Sequence, residues 1–330
     1  MSYRIKRREF MTLLGGAAAG WPLAASAQQP GKLRAVGFSG QSTRSAESEL
    51  VAAFAQRLHE LGWIENRTVV IEYRWSEGRA ERFVQIAAEF VRLNVDVIVT
   101  SGTPQVLATK RATSVIPIVF ARVGDPVANG IVASLARPGG NVTGMSVQSD
   151  ELAGKRIEIL REVVPSLRRV AILANVGNPL SVMELGEAQA AAGKLGLEFD
   201  ALEIRRAEDI VPAFEALKGR AEALYVCPDG LLDANKIRIN TLALGARLLT
   251  MHGYREYVEA GGLMSYGANL PDLYRHSADY VDKILRGANP GDMPVEQPTK
   301  FDLIINLTTA KALSLTIPES LLLRANELIE

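Results

Sequence analysis

One cysteine and three histidines in 330 residues leave little material for disulfide, thiol or metal chemistry. Cys227 has no second cysteine to pair with, and it ends an apolar run just before Pro228. That setting fits a buried, inert thiol better than an activated nucleophile, because no histidine stands near it in sequence. His59, His252 and His276 lie far apart, and none has Cys, Asp or Glu partners at metal-ligand spacing. No metal is expected. Net charge is also missing: 37 basic residues balance 37 acidic ones. A nucleic-acid surface needs clustered Lys and Arg to neutralise phosphates, so that class of partner is excluded. The chain has no G-x-S-x-G elbow and no Walker loop. Pro138-Gly139-Gly140-Asn141 lacks the dinucleotide pattern and precedes a strand, so no cofactor is expected. Without a legible nucleophile and base, an enzyme reading would need groups brought together only by the fold.

What is present begins at the N-terminus. Arg4, Lys6, Arg7 and Arg8 precede an apolar run from about Phe10 to Leu23, and Ala25-Ser26-Ala27 supplies a small-x-small cleavage site. The run is shorter than the roughly 20 residues that span a bilayer, and it is softened by Gly15, Gly16, Gly20 and Pro22. Residues 1–27 are therefore expected to be a signal peptide. Arg7-Arg8-Glu9-Phe10-Met11 resembles a twin-arginine signal, with Lys6 where Ser or Thr is common, so either export route remains open. No cysteine follows for lipidation. The mature chain from Gln28 would carry a formal charge of −3 and be free in the periplasm.

Beyond that segment, short β-branched runs alternate with helical stretches. The strands are Arg34–Phe38, Val69–Tyr73, Val95–Thr100 and Ile116–Phe120. Helices about Ala46–Leu61, Ala80–Leu93 and one opening at Thr103-Pro104 separate them. After the turn cluster Arg137–Asn141 and strand Val142–Val147, the alternation restarts. Helices about Asp150–Val163, Ser181–Leu195, Glu208–Lys218 and Leu231–Ala246 interleave with strands Val170–Asn175, Leu197–Glu203 and Ala223–Cys227. Two short strands, Leu248–Met251 and Leu263–Tyr266, follow, then a helix from Asn269-Leu270-Pro271 to about Arg286. A Gly- and Pro-rich loop, strand Phe301–Leu307 and helix Thr309–Leu313 complete the pattern. It predicts an α/β chain with two Rossmann-like parallel sheets side by side and a cleft between them.

In such sheets, ligands sit beyond the carboxyl ends of the strands, where helix N-termini offer free N–H groups to an anion. The candidate ligand residues therefore lie in the strand-end loops: Ser39 and Gln41, Ser101 and Thr103, Asp125, Asn178 and Ser181, and Asp229. Thr103 and Ser181 suit a carboxylate, with plain N-capping the competing role. Asp229 suits an ammonium, and Asp125 suits either the cleft or a turn; turn formation competes for both. Tyr254 and Tyr266 are candidates for stacking, against core packing.

The words at these loops resemble the ABC-transporter substrate-binding family that includes tryptophan- and tyrosine-type binding proteins. They are Thr103-Pro104 after an Ile-Val-Thr strand, and Pro117–Phe120 with Gly124-Asp125-Pro126-Val127. Pro138–Gly144, Arg255-Glu256-Tyr257 leading to Gly261–Gly267, Asn306-Leu307, Ala310–Leu313 and Ile317-Pro318 complete the set. The resemblance implies a type I periplasmic-binding architecture that closes on its solute and delivers it to an inner-membrane permease. It implies a first lobe of 31–147 plus about 268–296, a second lobe of 148–267, and leaves the lobe of 297–330 open. The characterised relatives lean toward aromatic amino acids, so an amino acid or a related small carboxylate is expected, and a shuttle that must expose its cleft is expected to be a monomer. Two other uses of the same cleft stay open: presentation of a ligand to a membrane receptor, and periplasmic catalysis.

Overall fold

The computed structural model describes residues 33–147, 152–217 and 219–330; the signal segment and the start of the helix expected at Asp150 lie outside them. The first half builds β1 (Arg34–Gly40), α1 (Ser48–Glu60), β2 (Val69–Trp75), α2 (Ala80–Leu93), β3 (Val97–Thr100), α3 (Thr103–Ala112), β4 (Ile118–Val123) and β5 (Val142–Ser146). The five strands form one parallel sheet in the order β2-β1-β3-β4-β5. Helices cover both faces, and every residue of β3 and β4 is buried, all of them apolar except Thr100 and Arg122. On α1, Leu50, Phe54 and Leu58 recur every fourth residue and form the buried stripe.

The second half builds α4 (Leu152–Val163), β6 (Arg169–Asn175), α5 (Pro179–Lys194), β7 (Glu198–Ile204), α6 (Ile210–Leu217) and β8 (Ala223–Val226). It continues with α7 (Gly230–Ala234), α8 (Lys236–Gly245), β9 (Leu249–His252), α9 (Arg255–Glu259), β10 (Met264–Ala268) and α10 (Leu270–Leu285). β11 (Phe301–Asn306), α11 (Leu307–Ala312), α12 (Glu319–Leu322) and β12 (Glu327–Ile329) close the chain. These strands make a seven-stranded sheet ordered β12-β11-β10-β9-β8-β6-β7. It departs from the all-parallel expectation at one joint, where β11 runs antiparallel to β10. The helix expected over Leu231–Ala246 is two helices, α7 and α8, broken at Asn235.

One helix crosses between sheets. α10 packs on α1 in the core of the first sheet, through Leu273, Tyr274 and Val281. Arg57 Nε donates to Asp279 at 2.9 Å, and Trp63 Nε1 donates to Asp282 at 2.7 Å. The loop after α10 stays there: Glu296 N–H donates to the Gly144 carbonyl at 3.1 Å. The chain then returns to the second sheet as β11. It thus passes between the sheets three times: between β5 and α4, between β10 and α10, and before β11.

A bulge in β4 matters for the cleft. Phe120 pairs with Gly144 and Val123 with Ser146, so Ala121 and Arg122 together face one residue of β5. A side chain on Gly144 would overlap the Phe120 carbonyl, which is why a glycine stands opposite the bulge. Bulges re-aim side chains at the ends of strands; here the re-aimed one is Arg122.

Candidate functional site

The carboxyl ends of β1, β2 and β3 face those of β6, β7 and β8 across a cavity of about 530 Å³. Gln41, Gly78, Phe83 and Pro104 line it from the first lobe, and Asn175, Asn178, Asp229 and Leu231 from the second. The lobes are closed on each other. Lys236 Nζ of the second lobe lies 3.4 Å from the Ala46 carbonyl of the first, and Arg255 lies 3.5 Å from Glu49.

Behind the cavity, the lobes are joined by a buried ion pair. Arg122 Nη2 donates to Gln41 Oε1 at 2.8 Å and to Asp233 Oδ2 at 2.7 Å, and its guanidinium lies 5.0 Å over the Tyr254 ring. Arg122 is 7% exposed and Asp233 8%. Burial alone would lower the Arg122 pKa, but the Asp233 carboxylate together with Tyr254 and Tyr274 outweighs it and holds the guanidinium firmly charged. A chamber of about 20 Å³ adjoins the pair, lined by Ser42, Glu47 and Tyr254 among others. That is roughly room for one water. Ser42 Oγ, Glu47 Oε2 and the Tyr254 hydroxyl are buried here without a protein partner.

The ten residues proposed from sequence fall into distinct places. Gln41, Asn178 and Asp229 line the cavity. Thr103 opens α3 beside it, fully buried, with an Oγ1 that has no partner. Tyr254 lines the inner chamber. Ser39 and Ser101 serve the loops: Gln105 Nε2 donates to the Ser39 hydroxyl, and Ser101 faces Tyr274. Three side chains are committed elsewhere. Asp125 Oδ1 accepts from the N–H groups of Val127 and Ala128, both at 2.9 Å, the turn role. Ser181 Oγ accepts from the Asn175 N–H at 3.0 Å. Tyr266 packs on Phe301, 6.3 Å between ring centres.

Asp229 has its acceptor sites filled by the protein. Oδ1 accepts from the N–H groups of Leu231 at 2.8 Å and Leu232 at 3.2 Å, capping α7; Oδ2 accepts from Asn175 Nδ2 at 3.1 Å and Asn178 Nδ2 at 2.9 Å. Burial raises its carboxyl pKa above the usual range, and the two asparagine amides hold it back. A carboxylate with four donors already in place has little left for an ammonium.

Sequence reasoning missed Arg122 and Asp233. The available signal was a cation inside the apolar run Ile118–Val123, a position that only a buried partner makes tolerable. It also missed the second buried cation, Arg156, whose Nη1 donates to Glu184 and, at 3.0 Å, to the Tyr225 hydroxyl, and whose Nε donates to the Tyr266 carbonyl at 2.6 Å. This group lies in the second lobe. Cys227 is buried with its thiol pKa pushed up by desolvation, and burial pushes His252 down to about 3, so it is neutral.

A tyrosine-binding protein of Clostridioides difficile (strain R20291) is 26% identical over 285 residues, 86% of this chain and 82% of its own length. A solved conserved-domain protein of Vibrio cholerae superposes with a TM-score of 0.84 at 29% identity, covering 90% of this chain and all of that one. An ABC domain in complex with L-Trp from Streptococcus pneumoniae gives 0.81 at 24% identity, covering 89% of this chain and all of its own. Leucine- and sugar-type binding proteins share the two-sheet architecture, that of type I periplasmic binding proteins. The sequence profile of ABC transporter substrate binding proteins matches residues 43–329. This chain belongs to that family.

Proposed function

We propose that the chain is the periplasmic solute-binding component of an ABC importer, holding an amino acid or related small carboxylate between its lobes and passing it to an inner-membrane permease. The observation that carries this reading is the cavity of about 530 Å³ walled by both lobes. Its volume suits an amino acid with a large side chain. Phe83, Pro104 and Leu231 offer apolar contact, and Gln41 and Asn178 offer polar side chains. The relatives named for tyrosine and solved with L-Trp make aromatic amino acids the first solutes to try. Function on this reading is capture without turnover, and the lobes close around the solute.

The test is calorimetric titration of the mature chain with the twenty amino acids, aromatic acids and short dicarboxylates, each recovered afterwards and assayed for change. Binding of one class with full recovery supports the reading. Heat with no member of the panel sinks the amino-acid part, and product formation replaces capture with catalysis.

A further inference from the structure

The small chamber beside Arg122 is where closed lobes bring like charges together. Glu47 and Arg122 come to it from the first lobe, and Asp233, Lys236 and Glu256 from the second. Three carboxylates thus meet two cations in a space with room for about one water. Both cations are occupied: Arg122 holds Asp233 at 2.7 Å, and Lys236 points its Nζ at the Ala46 carbonyl, 3.4 Å away. Among the described residues, neither Glu47 nor Glu256 has an ion-pair partner. Glu47 is 3% exposed; its Oε1 accepts from the Gln41 and Ser42 N–H groups, while Oε2 has no partner, and neither has Asp233 Oδ1. An ionised carboxylate can only accept, so it adds no donor to this group of oxygens; a protonated one does. We propose that closing the lobes takes up a proton on the carboxylates Glu47 and Glu256, so that the closed form gains on the open form as pH falls.

Opening parts Glu47 and Arg122 from Asp233, Lys236 and Glu256, because the two sets stand on different lobes. Closing removes water from both glutamates and sets the Asp233 charge near each of them, and both changes favour the neutral acid. Burial is the larger cause, pushing each carboxyl from 4.5 to about 7. Asp233 adds to it. Arg122 and the Ser42 and Gln41 N–H groups pull Glu47 back, and the Glu256 N–H, Arg122 and Lys236 pull Glu256 back. The tyrosines at the chamber and behind it, Tyr254, Tyr257 and Tyr274, have hydroxyl pKa values raised by burial and stay neutral. On the outer side of α9, Arg255 is shared by Glu49, Glu259 and Glu327, and a second small cavity sets Arg255 and Asp302 near Glu256. A carboxyl whose pKa rises on closing binds its proton more tightly in the closed form. The advantage to closing is therefore complete below about pH 4.5 and is lost as pH rises through about 7. This inference rests on the proposed function only in requiring lobes that open and close; the solute does not enter it.

The experiment reads the lobes directly. Spin labels are placed through Val84→Cys on α2 of the first lobe and Phe199→Cys on β7 of the second, both exposed positions; Cys227 is buried and stays in place. Pulsed electron spin resonance then gives the ratio of short to long interlobe distances, without solute, from pH 5 to pH 8. The glutamates of this labelled chain are compared with Glu47→Gln, Glu256→Gln and the double variant, with circular dichroism as the folding control. The labelled parent should shift toward the short distance by roughly tenfold per pH unit between about pH 7 and pH 5. Each single variant should show a weaker dependence. The double variant, which carries neutral amides in place of both acids, should hold a ratio constant within about twofold. A ratio that does not change with pH in the parent overturns the proposal, as does a single distance at every pH or a pH dependence as steep in the double variant as in the parent. The parent profile decides the matter even if a variant does not fold. Since no solute is present, failure of the amino-acid titration bears on the proposed function alone.

Discussion

Gly78 of the first lobe meets Leu231 of the second backbone to backbone: a Cβ on Gly78 would lie 2.8 Å from Leu231 Cα. Neither partner is the end of a flexible side chain, so a methyl group here holds the lobes apart. Gly78→Ala should weaken solute binding by about tenfold or more, since closure then works against the obstruction. Gly78 also has a φ of 70°, which disfavours alanine whatever the space. Gly139→Ala supplies the control, with a φ of 71° and open space around it. Titration and small-angle scattering check the pair. Wild-type affinity in Gly78→Ala, or an equal loss in the control, would sink the idea.

The buried carboxyl of Glu47 carries a pH dependence. Burial pushes its pKa up from 4.5 to about 7, against the N–H of Ser42, which lowers it. The folded chain therefore holds this proton more tightly than the unfolded chain. The stabilisation is complete below about pH 4.5 and is lost as pH rises through about 7. The loss amounts to about 3 kcal/mol at most. Urea unfolding of wild type and Glu47→Gln at pH 5 and pH 8 should show a steeper fall in wild type. Parallel falls in the two proteins refute the assignment.

Asp229→Ala removes a helix cap and orphans the amides of Asn175 and Asn178. The expected cost is roughly 1–3 kcal/mol of stability. Asp229→Asn keeps one oxygen for the cap but turns an NH₂ toward two other amides, so it should recover only part of the loss. Chemical denaturation of both variants measures it; two variants as stable as wild type would remove Asp229 from this structural role.

Arg156→Met should cost more, about 3–5 kcal/mol, because it leaves Glu184 charged inside the second lobe without its guanidinium partner. Arg156→Met/Glu184→Leu should recover much of that stability. A midpoint shift below a few tenths of a molar in urea for the single variant would contradict this.

The elements were legible where local pattern and tertiary demand agree. Helix α2 runs over Ala80–Leu93 as its apolar stripe requires, with Phe83, Ile86, Ala87 and Phe90 buried. The break at Asn235 was not legible, because the apolar period continues through it; Asp229 and its distant asparagine partners fix where α7 begins. β12 has three residues and α9 five, too few for any period to show. The same limit governs the site. A carboxylate after a strand reads alike as turn or ligand contact, and Asp229 and Asp125 declared themselves only through their donors. Arg122 was odd in its apolar run, but its partner lies 111 positions away.

The return of α10 to the first lobe has a cost in time. Arg57 waits for Asp279 and Trp63 for Asp282, more than 200 residues downstream. The second sheet waits longer still, because β11 and β12 shield the edge of β10 and follow every other strand of that sheet in sequence. Neither half can finish alone as the chain emerges. The nascent protein should stay open to holding factors, and to pairing with its neighbours, until β11 and β12 have been made.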